Sequence, residues 1–211
     1  MAIRRREAGE IGESAGSSPG RKPVAAGQPC GSLARVLARI FKEPRPEVLD
    51  LGPLCGQTVT YLAGRGARVS VEPFDPPHAV AAADPGDSPP APPPIRFDQP
   101  DAQFSLVLAW ELLDFLPPER MQDFAAEVLR VLRDGGWLFM FSRMSPPSGP
   151  EQPPRYRLLA DDMLVRESTQ LPARRRYASS TRDIERALKG FSIQGVQLQR
   201  NQMREFSALK V

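Results

Sequence analysis

Three short stretches carry residues whose types and spacing suit ligand chemistry. They are Asp50-Leu51-Gly52-Pro53-Leu54-Cys55-Gly56, then Glu72, then the run from Trp110 through Glu111 to Asp114. Gly52 lets the chain turn sharply, and Gly56 lets backbone approach a ligand with no Cβ in the way. The loop is not the G-x-G-x-x-G fingerprint, because Leu54 stands at the second glycine position, so a pyrophosphate cradle is not indicated. Glu72 falls where a carboxylate can accept both ribose hydroxyls of an adenosine. Glu111 and Asp114 are the candidate general bases for an acceptor that must lose a proton. Their plainer reading is helix capping or solvation.

These residues are useful only if strands present them at one edge, and the pattern around them predicts that. Val48 to Gly52 is a short strand running into a glycine turn, Gln57 to Ala63 a helix, and Ala67 to Glu72 a second strand. Strand, helix and strand over so short a span make a βαβ unit with a parallel, right-handed crossover. Phe104 to Trp110 is a nearly continuous apolar run, as in a strand buried on both faces. Pro117 and Pro118 open a helix whose inner face is Met121, Phe124, Ala125, Val128 and Leu132, with Gly135-Gly136 as its stop. Trp137 to Ser142 is another buried strand. In an open sheet of this kind ligands bind beyond the carboxyl ends of the strands.

The flanks are read the same way. Residues 1 to 30 are poor in large apolar side chains and predict a disordered tail ahead of one domain over 31–211. Ser32 is the expected N-cap of a helix with Leu33, Val36, Leu37, Ile40 and Phe41 on one face. Ten prolines between Pro73 and Pro100 predict an extended loop with a short strand at Ile95 to Phe97. Near the end, a helix capped by Ser180 or Thr181 precedes two strands, Phe191 to Leu198 and Arg204 to Leu209. A phase shift at Gly195 predicts a bulge.

Several of these stretches resemble class I S-adenosylmethionine-dependent methyltransferases, closest to the type 11 branch. Val48 to Gly56 with Glu72 is similar to their first two motifs, and Phe104 to Glu119 to their fourth strand and following loop. Leu129-Arg-Val-Leu-Arg-Asp-Gly-Gly-Trp-Leu138 resembles their helix-to-strand turn, and the last two strands their antiparallel hairpin. The resemblance implies a Rossmann-like α/β fold, a mostly parallel sheet flanked by helices, with S-adenosyl-L-methionine as cofactor. It implies that Asp50 and Gly52 lie by the methionine part, that Gly56 closes on the cofactor and that Glu72 holds the ribose. Trp110 and Glu111 would border cofactor and acceptor. The acceptor implied is a small molecule.

Composition narrows the rest. The formal net charge is +3, too little to indicate nucleic acid. No apolar run approaches a bilayer span, so a cytoplasmic protein is expected. Cys30 and Cys55 lack paired spacing and nearby histidines, which excludes a zinc site of the usual pattern. His78 is the only histidine and has no nucleophile elbow near it. The Arg174 to Arg176 run could grip an anionic acceptor or be solvated. Two other functions stay open: a methyltransferase-fold binding or scaffold protein without turnover, which the altered glycine loop favours, and a nucleotide-dependent oxidoreductase. Oligomeric state is not legible.

Overall fold

The computed structural model describes residues 27–74, 93–145 and 148–211. Arg4 to Arg6 and His78 lie outside the described residues. The element order is β1 (Gln28–Pro29), α1 (Gly31–Ile40), β2 (Glu47–Asp50), α2 (Gly56–Gly64), β3 (Arg68–Val71) and β4 (Phe104–Trp110). Two 3₁₀ turns, Leu112–Phe115 and Pro118–Arg120, lead to α3 (Met121–Val131) and β5 (Leu132–Arg143). The chain continues through β6 (Arg155–Ala160), β7 (Met163–Glu167), α4 (Thr181–Ala187), β8 (Phe191–Leu198) and β9 (Met203–Lys210).

The six-stranded sheet runs β3-β2-β4-β5-β9-β8. Its first four strands are parallel and β9 and β8 are antiparallel, as the sequence predicts. β4 is buried along its whole length, so it reads as an unbroken apolar run rather than an alternating one. One face of the sheet packs with Phe124, Val128, Ile184 and Leu188 from α3 and α4. The other packs with Leu33, Val36, Leu37 and Ile40 from α1 and Leu62 from α2. The register shift in β8 falls between Ile193 and Gly195, where the bulge is expected.

Several expectations are corrected. The first helix is capped by Cys30, with Ser32 already inside it. Gln28–Pro29, within the segment expected to be a tail, is a strand paired with Leu164 and Met163. Ile95 to Phe97 forms no strand. It is held by α3 instead: the Phe97 amide donates to Glu127 at 2.7 Å, and Arg130 donates to the carbonyls of Gln99 and Phe97. Phe74, Phe97 and Phe124 then pack edge to face or tilted, with centroids 5.6 to 6.1 Å apart. Gly135-Gly136 does not end the helix, which stops at Val131. The glycines lie within β5, where the pairing jumps from Phe104–Leu132 to Leu106–Trp137.

The hairpin β6–β7, which with β1 forms a separate three-stranded sheet, is not among the expected elements. Thr58 of α2 fastens it: its hydroxyl donates to the Tyr156 carbonyl at 2.9 Å and accepts from the Leu158 amide at 3.1 Å.

Two glycines test this packing. A Cβ on Gly136 would stand 2.8 Å from the Arg133 carbonyl and 2.9 Å from that of Phe104. Neither backbone atom can yield cheaply, so Gly136→Ala is expected to cost about 1–3 kcal/mol. At Gly64, in α2, nothing lies within 4 Å, and Gly64→Ala is expected to gain up to about 1 kcal/mol. Urea unfolding of both variants checks the pair; equal midpoints would contradict it.

Candidate functional site

Sheet order brings the candidate residues together. β2 lies between β3 and β4, and Asp50 pairs with Val71 on one side and Leu108 on the other. The carboxyl ends of the three strands therefore present Asp50, Glu72 and Trp110 at one edge.

Asp50 is buried. One oxygen, Oδ1, accepts from the Gly52 amide at 2.9 Å and from the Trp110 indole N–H at 2.7 Å. Burial pushes its carboxyl up from 3.8 to about 6, against the two hydrogen bonds that favour the charged form. Trp110 itself takes φ +46°, the left-handed region, at the point where β4 shifts register against β5. Its ring stacks on Tyr156 at 4.8 Å and 11°, with Phe141 beyond. A Cβ on Gly52 would lie 2.4 Å from the Trp110 ring. The first glycine of the loop is thus required by an indole of the same chain.

The rest of the loop is more open. Gly56 begins α2 with nothing within 4 Å of a Cβ position. Leu54, in place of the middle glycine, is 61% exposed. Cys55 is buried. At the end of β3, Glu72 accepts the Asp98 amide on Oε1 at 3.0 Å. Its Oε2 is buried and has no hydrogen-bond partner among the described residues. A cavity of about 120 Å³ lies nearby, lined by Pro53, Pro73, Phe74, Leu112 and Phe115 among others.

Glu111 and Asp114 have a different setting from the one their spacing suggests. Both are buried, so neither is a solvated carboxylate. Glu111 accepts from the Tyr156 hydroxyl, from Arg166 at 2.6 Å and from Arg176. Asp114 Oδ2 accepts from Arg176 at 3.2 Å and from the Arg143 amide at 2.9 Å. Glu151 completes the cluster, 3.0 Å from the Arg176 Nε. Burial raises the pKa of Glu111, but the hydrogen bond from Arg166 and the charges of Arg176 and Arg166 outweigh it, so the group sits below the ordinary value. Burial pushes Asp114 the other way, up to about 6. With its lone pairs engaged by guanidinium groups, Glu111 has no position from which to accept a substrate proton.

Arg176 is neither solvated nor a grip for an acceptor; its side chain is buried and its face lies 4.3 Å from the Phe115 ring centre. Tyr156, Arg166 and Glu151 were not found by sequence reasoning, which singled out Arg176 only as part of the basic run at 174–176. The available signal was the density of arginine opposite Glu151 and Glu167, which no helical or strand period organises. Among the described residues no group of His, Cys, Asp and Glu could hold a metal ion.

A family model described as a methyltransferase domain matches residues 49–140, the span from β2 into β5. No curated protein matches in sequence. Solved structures do match in fold. An S-adenosylmethionine-dependent methyltransferase from Mesorhizobium loti is 12% identical, with 85% of this chain and 96% of that one covered and a TM-score of 0.52. A structure described under conversion of a disulfide bond into a thioacetal group during echinomycin biosynthesis is 14% identical, covering 86% and 82%, with a TM-score of 0.51. A 1,6-didemethyltoxoflavin-N1-methyltransferase from Burkholderia thailandensis, holding its substrate and S-adenosylhomocysteine, is 18% identical, covering 85% and 77%, with a TM-score of 0.48.

The buried carboxyl of Asp50 makes stability depend on pH. Its pKa is higher folded than unfolded, so the folded state is favoured at low pH and loses that advantage as pH rises from about 4 through about 6. The difference from 3.8 to about 6 is worth on the order of 3 kcal/mol. In Asp50→Asn the side-chain oxygen still accepts both hydrogen bonds and no charge is buried. The stability of the variant relative to the parent is expected to rise by up to that amount between pH 4 and pH 7. Parallel urea curves across this range check it, and a constant difference would contradict it. The cluster gives a second expectation: Arg176→Met leaves Asp114 without its guanidinium and Glu111 with one fewer, at a cost of about 3–5 kcal/mol read from the same curves.

Proposed function

We propose, from the premise that this chain is a class I S-adenosylmethionine-dependent methyltransferase with S-adenosyl-L-methionine as its cofactor, that it methylates a small-molecule acceptor in the cytoplasm. One observation carries the reading. In the segment that matches the methyltransferase domain, Glu72 at the end of β3 has a buried oxygen with no hydrogen-bond partner among the described residues, beside the glycine loop. Burying a carboxylate oxygen with no donor is costly, and the vicinal hydroxyls of a ribose are donors that would satisfy it.

When bound, the cofactor supplies a methyl group on a sulfonium, a carbon open to in-line displacement. The contribution of the chain is alignment. Glu72 would accept the ribose hydroxyls, and Gly56 would leave room for the ligand against the α2 terminus. The small acceptor is what the family resemblance implies; the cavity of about 120 Å³ beside Pro53, Leu112 and Phe115 would admit only a small group. Glu111, with both oxygens engaged by Arg166 and Arg176, acts as a support rather than as a base, while Asp114 has its Oδ1 without a hydrogen-bond partner among the described residues. Among the described residues no helix is long and apolar enough to cross a membrane.

The fit is good for the nucleoside half and poor for the other. Asp50 and Gly52, which the resemblance assigns to the methionine part, are both taken up by Trp110. That observation favours a second reading, a methyltransferase-fold binding or scaffold protein without turnover.

Calorimetric titration with S-adenosylhomocysteine tests the proposal. Binding is expected for the parent chain, and Glu72→Ala is expected to weaken it at least tenfold while circular dichroism stays unchanged. Absence of binding at millimolar ligand in the parent would end the methyltransferase reading. Binding without methylation of any acceptor tried would favour the scaffold.

A further inference from the structure

The two ends of the crevice are built differently. At the end of β3, where the proposed function puts the nucleoside, Glu72 has an oxygen without a donor among the described residues. At the other end, the glycine loop is already filled. The indole N–H of Trp110 occupies the carboxylate of Asp50, and the ring edge lies where a side chain on Gly52 would be. This ring is 2% exposed and sandwiched against Tyr156.

The backbone of Trp110 gives a second, independent observation. Three non-glycine residues among those described have positive φ: Ala102, Trp110 and Gln202. Ala102 and Gln202 lie in turns between elements, whereas Trp110 ends a fully buried strand. A bulky residue in the left-handed region is strained, and such strain persists only where neighbours hold it. Asp50 and Tyr156 are those neighbours.

We infer that Trp110 is an internal occupant of the amino-acid subsite, and that it sorts adenine nucleosides by whether they carry a charged tail. The inference rests on the methyltransferase reading above. A nucleoside without a tail binds against Glu72 with Trp110 in place. A ligand with the homocysteine tail binds only when the indole leaves Asp50 and Gly52. Its apparent affinity is then reduced by the fraction of molecules in which Trp110 has turned out. Asp50, freed of the indole N–H, faces the ammonium group of the tail instead.

The chain has two tryptophans, so Trp137→Phe leaves Trp110 as the sole indole reporter. In that protein, S-adenosylhomocysteine is expected to shift the emission to the red as the ring leaves its stack. Adenosine shares the purine, so it controls for quenching and is expected to bind with no shift. In Trp110→Ala, S-adenosylhomocysteine is expected to bind at least tenfold tighter, with adenosine affinity changed less than twofold.

Binding of S-adenosylhomocysteine with no shift in emission overturns the inference and leaves the methyltransferase reading standing. So does a Trp110→Ala protein that folds but binds it no tighter. If neither ligand binds the parent or the variant, both fail together. Should Trp110→Ala not fold, the emission experiment decides alone.

Discussion

Everything at the strand ends depends on the burial of one carboxylate, that of Glu111. A charge removed from water must be met by countercharge and hydrogen bonds or it destabilises the fold by several kcal/mol. Glu111 follows the most buried strand of the sheet, so no solvent reaches it. Its partners have to be delivered from elsewhere in the chain. Arg166 comes from β7, Arg176 from the segment before α4, and the Tyr156 hydroxyl from β6. Meeting the charge of Glu111 therefore docks the hairpin and fixes the path into α4. The docked hairpin places the Tyr156 ring on Trp110, and the stacked Trp110 closes over Gly52. A demand of electrostatics becomes a decision about which part of the crevice stays open.

This dependence also explains the use of arginine. The chain has a formal net charge of only +3 despite 28 basic residues, and part of that basic charge is spent inside. Arg130 replaces a strand by holding the carbonyls of the proline-rich loop. Arg204 is buried and bridges Ser142 and the Ser179 carbonyl. A planar guanidinium with five donors satisfies several acceptors at once, which a lysine cannot. The basic run at 174–176 is thus a structural device at Arg176 rather than an electrostatic footprint for a polyanion.

The parts of the fold legible in the sequence are those with a period. β4, α3 and the β8–β9 pair announce themselves by apolar runs, helical stripes and a phase shift at Gly195. The β6–β7 hairpin does not. Arg155 and Arg157 alternate with apolar residues but pair across the hairpin with Glu167, while Arg166 reaches Glu111, so these charges are partly buried in ion pairs rather than fully solvated. Pattern reasoning assumes that charge faces solvent, so it discards such a segment. The same assumption made Glu111 look available for proton transfer. Spacing placed Asp50, Gly52, Glu72 and Trp110 at one edge, because strand order alone achieves that. It did not reveal that Asp50 and Gly52 face Trp110, since a contact between residues sixty positions apart has no local signal.

The altered glycine loop is better understood from this contact than from the missing glycine. Leu54 is exposed and packs against no part of the core. The constraint lies two residues earlier, at Gly52, which must remain glycine to admit an aromatic edge at a distance no Cβ would tolerate. A glycine that sequence reading assigns to a ligand is held here by the chain itself. Asp50 shows the same economy: its Oδ1 accepts both the turn amide and the indole, so one atom joins the loop to the end of β4. Its raised pKa follows from being enclosed by that arrangement. The two carboxylates at these strand ends thus differ in setting: Asp50 is satisfied within the core by Gly52 and Trp110, whereas Oε2 of Glu72 has no hydrogen-bond partner among the described residues.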